Sequence, residues 1–519
     1  MEKKLILTID FGTQSVRAAL FDKNGNIVGI SKVPYVTPYF STKKGYAEQD
    51  PKLYLECLKK ATNELTNKYK DELKYVKGVT LTCFRDTAVL LDKDYNVLRP
   101  AILWLDQRRA KADKKLPFIS RLLFALVGMK DTIELNRKRT MALWIQENEP
   151  EIWKKVYKYV PISTYFNYFL TGELADSSSN CTGHYPLDFK KRRWYKSDKH
   201  LKGQIFSIPN KLLPKIVPEG QELGKISKEA SELTGIPEGL ILYASGSDKS
   251  CDTLGLGALK NNVAAISYGT ASSIEVTNKK YMDSEPFLPS YPSAIPGYYN
   301  LEVQIYRGYW MLNWFIKEFA NKKPLDDSGI EESILLKELD NKILKIEPGS
   351  DGLVLQPYWG PGLSRPLAKG AIAGFSDIHT KEHMYKAIIE GIAYALREGL
   401  EGFEKKLHHK IKEIKVSGGG SQSDAICQIT ADIFGVRVSR VQTYETSSLG
   451  AAIAGFLAIK EYDNAEDAVK YMVRESDFFE PNMENHKKYN YLYKNVYLKM
   501  YHHLVDINKG IRKFEKKYN

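Results

Sequence analysis

Two periodicities alternate along this chain. Leu5-Ile6-Leu7-Thr8-Ile9 is a short apolar run ending in an acid, Asp10, and a Gly12-Thr13-Gln14-Ser15 turn follows. Val16 to Phe21 then alternates like a second strand, Asp22 to Asn26 reads as a hairpin turn, and Ile27 to Ile30 as a third strand. The same pattern returns at Val263 to Tyr268, a Gly269-Thr270 turn, and Ser272 to Val276. A period of three to four residues marks the helices. Leu53, Cys57, Ala61 and Leu65 form a stripe begun by Asp50-Pro51, and Met384, Ile388, Ile392, Ala395, Gly399 and Phe403 form a longer one capped by Thr380. Lys77 to Thr82 predicts a strand, and Ala88 to Asp92 with the turn at Asp94-Tyr95-Asn96 predicts another hairpin. Residues 111–172 read mainly as helices, with a break at Glu149-Pro150. Ile241 to Gly246 is a strand that delivers Asp248, and Ile414 to Ser417 runs into Gly418-Gly419-Gly420-Ser421 and a helix from Ser423 to Phe434. Ser447 to Gly455 is a helix of small residues, able to pack tightly against a neighbour. The Tyr- and Lys-rich segment from Glu484 to Ile511 reads as helical, with no chemistry assigned.

Composition narrows the class only a little. At 519 residues, 43% hydrophobic and 27% charged, the chain has room for two or more large domains of ordinary globular make-up. Five scattered cysteines without a CxxC pair argue against a disulfide framework or zinc site and suit a reducing cytoplasm, the expected location. No signal segment is visible, and the longest apolar patch, Leu122 to Met129, is too short to span a bilayer. The net charge of +13 invites a nucleic-acid reading, but the lysines are dispersed and the densest cluster, Lys190-Lys191-Arg192-Arg193, is one short loop. Without zinc-finger spacing or an aromatic–basic signature, an anionic small-molecule substrate is the better account, with neither nucleic acid nor membrane as partner.

The chemistry begins at the strand ends. A carboxylate such as Asp10, beside a loop rich in backbone N–H and hydroxyl donors, suits a magnesium-bound polyphosphate. Two such hairpins, then a Gly-rich strand-to-helix turn, with Gly246-Ser247-Asp248 between them, resemble the FGGY carbohydrate kinases of the actin-like ATPase superfamily, from Leu5 to about Tyr501. That resemblance implies two α/β domains of the actin-like (ribonuclease H-like) type with a cleft between them. The division falls at residues 1–246 and 247–519, each domain built on a mixed five-stranded sheet. It implies ATP and Mg2+ as cofactors, a small sugar or polyol as substrate, and allows a homodimer.

Residue by residue, the resemblance assigns Asp248 as general base, with a helix N-cap acid as the alternative. Asp10 becomes the magnesium-associated acid. Gly12, Thr13, Gln14, Ser15 and Arg17 become the first phosphate loop, although Arg17 reads equally as a solvated strand residue. Gly269 and Thr270 form the second loop, and Gly418, Gly419, Gly420 and Ser423 the adenosine turn, where missing Cβ atoms let the backbone approach the base and ribose. Asn313 would reach the adenine, with Trp310 and Trp314 in the core. Arg85, Asp86, Trp104 and Asp106 form the acceptor site: an Arg–Asp pair facing adjacent hydroxyls and an indole wall, or else a structural ion pair. His379 and His383, four apart at a helix start, lack a third ligand nearby and are not read as a metal pair.

The resemblance leaves the subfamily open. Xylulose kinases typically carry Met-His-Gly where this chain has Phe84-Arg85-Asp86, and glycerol kinases carry Arg-Glu-Thr, closer to Arg85-Asp86-Thr87. Yet the tyrosine that glycerol kinases use aligns near Asn136, and Lys249 stands where they have glutamine. The expected activity is transfer of phosphate from ATP to a hydroxyl of a small polyol or ketose. The alternatives are a xylulose-type pentulose kinase or, from another class, an ATP-driven binding protein like actin or the chaperone ATPases.

Overall fold

The computed structural model describes residues 3–285, 288–319, 330–359, 365 and 367–518. The first alternations become β1 (Leu5–Phe11), β2 (Ser15–Asp22) and β3 (Ile27–Pro34), an antiparallel meander in which Asp10 stands opposite Arg17. β1 is buried at every position, Thr8 and Asp10 included, as befits a central strand. The helix α1 (Pro51–Lys68) opens on Asp50, whose side chain accepts the Lys52 N–H, with Pro51 in the first turn. Its buried face is centred on Tyr54, Leu58, Ala61 and Leu65, so Leu53 and Cys57 sit at the margin rather than in the stripe.

β4 (Val76–Cys83) lies parallel to β1, and β5 (Glu222–Lys225) and β6 (Ile241–Tyr243) extend the sheet, giving the order β5-β6-β4-β1-β2-β3. The sheet therefore has six strands, not five. β5 escaped the pattern because only one of its four residues is buried, and it lies inside a polar, turn-rich stretch.

α2 (Asp248–Gly255) leads to the second copy: β7 (Val263–Tyr268), β8 (Ser272–Asn278), β9 (Tyr291–Pro292) and β10 (Tyr299–Ile305). After α3 (Trp310–Phe319) and α4 (Lys381–Leu407) come β11 (Glu413–Ser417), α5 (Asp424–Phe434), β12 (Arg437–Val441), α6 (Thr446–Ala458) and β13 (Glu475–Phe479). The sheet runs β9-β10-β8-β7-β11-β12-β13. Its inner five strands repeat the first sheet: an antiparallel meander, then two parallel neighbours. The short β9 and the exposed β13 are edge additions that bring it to seven.

The small-residue helix α6 joins the halves. It packs on α2 and also across β1 and β4 of the first sheet. A Cβ on Gly450 would strike the Cys251 carbonyl, and one on Gly255 the carbonyl of Thr446, so the α2–α6 approach needs both glycines. α4 is closed at its start by a reciprocal Thr380–His383 capping box, while the His379 Nδ1 accepts the Ser376 N–H, which gives both histidines local work. Tyr489, Tyr493 and Tyr497 of the C-terminal helical segment bury their rings against Tyr394 of α4.

Candidate active site

A cleft of about 1890 Å³ separates the two sheets, and the sequence-predicted site residues converge on it. One wall is made of turns. The Gly12 N–H donates to the Ser15 carbonyl at 3.0 Å, closing the β1–β2 turn so that Gly12, Thr13, Gln14 and Ser15 line the cleft. Gly269 and Thr270 line it from the matching β7–β8 turn, whose carbonyls accept the Tyr309 and Trp310 N–H groups at the start of α3. Gly418 is left-handed (φ 81°), and a Cβ there would sit 2.7 Å from the Tyr268 carbonyl oxygen, while one on Gly420 would meet the Tyr309 ring at 2.5 Å. Two of the three glycines thus serve packing inside the domain, and only Gly419 leaves an open Cα face for a ligand. Ser423 is the N-cap of α5, its hydroxyl accepting the Ile426 N–H. Asn313 is exposed on the cleft; Trp310 and Trp314 both pack against the core of the second domain, Trp310 also lining the cleft beside Arg307 and Trp314 meeting Trp359.

The floor gathers charge. Asp10 is buried, and the loss of water pushes its carboxyl up to about 7; Arg17, 3.7 Å away, offsets this in part, while Glu445, Asp248 and Asp252 add to it. Arg17 is not a solvated strand residue: it bridges Asp10 and Glu445, the latter at 2.7 Å. Asp248 begins α2, with Ser247 as the cap residue ahead of it, so the N-cap alternative falls away. Burial raises its carboxyl above the ordinary range, against the lowering effect of Lys249 and Arg85. The Lys249 ammonium donates to Ser267 at 2.8 Å.

The other wall is made of side chains, and here the expected pairings change. Arg85 and Asp86 do not pair with each other. The Arg85 guanidinium forks onto Glu302 of β10, with Oε2 at 2.6 Å, and stacks over Tyr291 at 4.6 Å. Asp86 adopts a left-handed backbone (φ 59°) and turns instead to His184, accepting its N–H at 2.8 Å and its Nδ1–H at 2.7 Å. Gly183 leaves room for that carboxylate, since a Cβ would collide with it. Asp106 is also reassigned. Both its oxygens are held by Arg108 (2.9 and 2.8 Å) and by the Ala47 N–H, so it is the structural ion pair of the two readings, and Glu48 completes it. Trp104 keeps its expected place on the cleft, its backbone N–H donating to the Thr87 hydroxyl.

Glu302 stands opposite Glu275 in the β8–β10 register. Burial, and after it the negative charge of Glu302, raise the Glu275 carboxyl to about 8. Thr253 and Asn300 donate to Glu275 at 2.9 Å each. Sequence reasoning missed His184, Tyr291, Glu302 and Glu445. A buried acid inside a fully strand-like stretch, Glu275 in Ser272–Asn278, was the one signal available.

Two repeated sheets enclosing such a cleft, with turn-built and side-chain-built walls meeting at Asp248, define a phosphotransferase of the two-domain ATP-cleft type. The chain belongs to the FGGY family of carbohydrate kinases: residues 5–255 match its N-terminal domain and residues 264–459 its C-terminal domain. It is a carbohydrate kinase with an alcohol group as acceptor and ATP as phosphoryl donor. A xylulose kinase of Lactococcus lactis is 28% identical over 97% of this chain and 99% of its own length. Among solved structures, a ligand-bound xylulose kinase from Lactobacillus acidophilus superposes with TM-score 0.80 at 22% identity, over 96% of this chain and 98% of its own. A gluconate kinase from the same organism has the same TM-score and identity, over 97% and 99%. Neighbours with different substrates fit equally well, so the likeness defines the fold and leaves the substrate to the pocket. Among the described residues no helix is long and apolar enough to cross a membrane.

Proposed function

We propose that the chain transfers the γ-phosphate of ATP to a hydroxyl of an open-chain polyol or ketose, with Asp248 as general base. The observation that carries this reading is the position of Asp248, on the cleft floor between the Gly-Thr turns and the Arg85–Asp86 wall. The Asp248 carboxylate takes the hydroxyl proton as the oxygen attacks the γ-phosphorus; the bond to the β,γ-bridging oxygen breaks and ADP leaves. Beside proton removal by Asp248, placement of the two reactants supplies much of the acceleration.

The same floor fits a divalent cation. Asp10 is a buried acid crowded by Glu445, Asp248 and Asp252, with Arg17 as the cation that offsets them, and an added Mg2+ would relieve that excess. Asp10 would hold it through water, and the cation would neutralise charge on the transferring phosphate. The domain boundary at residues 246/247 and a cytoplasmic location belong to the same proposal; the last strand of the first sheet ends at Tyr243 and the first of the second begins at Val263.

Asp86 and His184 read the acceptor. With Nδ1 engaged by the carboxylate, the imidazole keeps Nε2 for the acceptor, and His184 lines the cleft. This imidazole, supplied from a different segment, also favours the second reading, a xylulose-type pentulose kinase, which the names of several relatives share. A panel of three- to seven-carbon polyols, ketoses and aldoses, scored by ADP release, tests the proposal. An open-chain compound with vicinal hydroxyls should lead it, with D-xylulose the lead on the second reading. A lead by glucose or another closed aldohexose would refute the pocket assignment.

A further inference from the structure

The two Gly-Thr turns repeat one another, but the strand ends that lead into them differ. Two residues ahead of Gly12 stands Asp10, facing Arg17 across the β1–β2 ladder. Two residues ahead of Gly269 stands Ser267, facing Ser273 across β7 and β8. The second hairpin therefore carries neither the acid nor the cation of the first. Its cation comes from α2. Lys249 reaches across to Ser267 and donates to its hydroxyl at 2.8 Å. Lys249, Ser267, Gly269 and Thr270 all line the cleft, so the ammonium sits at the root of the second turn.

Its partners set it apart from the cations nearby. Arg17 bears on Asp10, and Lys249 and Arg85 bear on Asp248. Arg17 is held by Asp10 and Glu445, and Arg85 is forked onto Glu302. Among the described residues no carboxylate stands within ion-pair range of Lys249, and Ser267 is the side chain its ammonium meets. An ammonium has three N–H donors, and Ser267 takes one of them. The others are left for whatever enters the cleft, and the tether to Ser267 places the charge before a ligand arrives.

The position of that charge says what it meets. Lys249 follows Asp248 directly at the start of α2, and its side chain ends beside the strand that runs into Gly269-Thr270. The residue thus links the base to the second phosphate turn, and a phosphoryl group passing from nucleotide to acceptor must cross between those two places.

We propose that Lys249 is a catalytic residue whose ammonium, steadied by Ser267, holds a non-bridging oxygen of the γ-phosphate during transfer. This rests on the donor-site reading above and adds to it a cation that belongs to the chain itself. The ammonium keeps its proton throughout. The acceptor hydroxyl gives its proton to Asp248, the new O–P bond forms, and the bond to the β,γ-bridging oxygen breaks. A preplaced donor aimed at such developing charge is worth roughly 10²- to 10³-fold in turnover.

The test compares the binding of MgADP with that of the β,γ-methylene analogue of MgATP, without acceptor. In Lys249→Met the analogue should bind at least about tenfold more weakly than in the wild type, while ADP stays within about threefold. Turnover should fall about 100-fold or more with acceptor KM within about threefold, and Lys249→Arg should keep part of both properties. Lys249→Gln replaces Lys249→Met if the latter does not fold. An unchanged analogue-to-ADP ratio or a near-normal kcat in the folded variant overturns the assignment and leaves the Lys249–Ser267 bond a structural tether. A raised acceptor KM with kcat held gives Lys249 to the acceptor and overturns it as well. Thr270→Val, measured alongside, separates this inference from the reading beneath it. If Thr270→Val weakens the nucleotide and Lys249→Met does not disturb the γ-phosphate, only the role of Lys249 falls. If Thr270→Val binds both nucleotides as the wild type does, the donor site is misplaced and Lys249 loses its role with it.

Discussion

The two walls of the cleft solve the problem of binding in opposite ways. The wall proposed for the nucleotide is built from backbone: one turn closed by its own hydrogen bond, a second whose carbonyls hold the Tyr309 and Trp310 N–H groups, and a glycine turn fitted against Tyr268 and Tyr309. The wall proposed for the acceptor is built from side chains drawn from distant segments, with Arg85 on Glu302 and Asp86 on His184. A backbone site binds what every member of a fold must bind, and it is hard to alter without breaking the turn. A side-chain site can change its ligand by changing one residue. The donor end of this protein is therefore read from its architecture, and the acceptor end from its particular residues.

The sharpest ways to break that contrast lie where the walls meet. Removing divalent metal with excess chelator should lower turnover by more than a hundredfold if, as proposed, a cation offsets the crowded acids around Asp10; full activity in chelator would refute the floor as drawn. Asp248→Asn should lower kcat at least a hundredfold with ATP affinity little changed, because the proton acceptor is lost and no binding contact is. Near-normal turnover in the folded variant would remove Asp248 from the chemistry.

Smaller effects test how the walls are held. Gly450→Val places a side chain against the Cys251 carbonyl and should destabilise the protein by about 3 kcal/mol, read as a lower unfolding midpoint. Glu275→Gln probes the stored cost of the acceptor side. Glu275 holds its proton in the folded protein at pH values where the unfolded chain has lost it, so its contribution to stability falls as pH rises through and above the ordinary glutamate range. The variant should therefore gain on the wild type by a few degrees at pH 8 and by less at pH 5; an equal difference at both values would contradict the raised carboxyl.

The same contrast explains what could be read from the sequence. The Gly-Thr hairpins, the glycine turn and the strand into Asp248 are local, and each survives as a stretch of consecutive residues. The pairing of Arg85 with Glu302 spans 217 positions and that of Asp86 with His184 spans 98, and nothing in the spacing announces either. Asp106 shows the converse error. Trp104-Leu105-Asp106 looked like one substrate segment, but strand and loop geometry turned the indole to the cleft and gave the acid to Arg108. The extra edge strands were hidden for a different reason: β5 buries one residue and β13 almost none, so neither carries a periodic signal.

The central claim, one cleft with two independently built walls, is tested most directly by measuring both ligands on one variant from each wall. Nucleotide affinity and acceptor KM would be determined for Thr270→Val and for Asp86→Ala. The account predicts that Thr270→Val weakens nucleotide binding about tenfold with acceptor KM within about threefold of wild type. It predicts the reverse for Asp86→Ala, with basal ATP hydrolysis spared. If Asp86→Ala left acceptor KM intact, or if each variant impaired both ligands alike, the division of the cleft into a backbone-built donor wall and a side-chain-built acceptor wall would be contradicted.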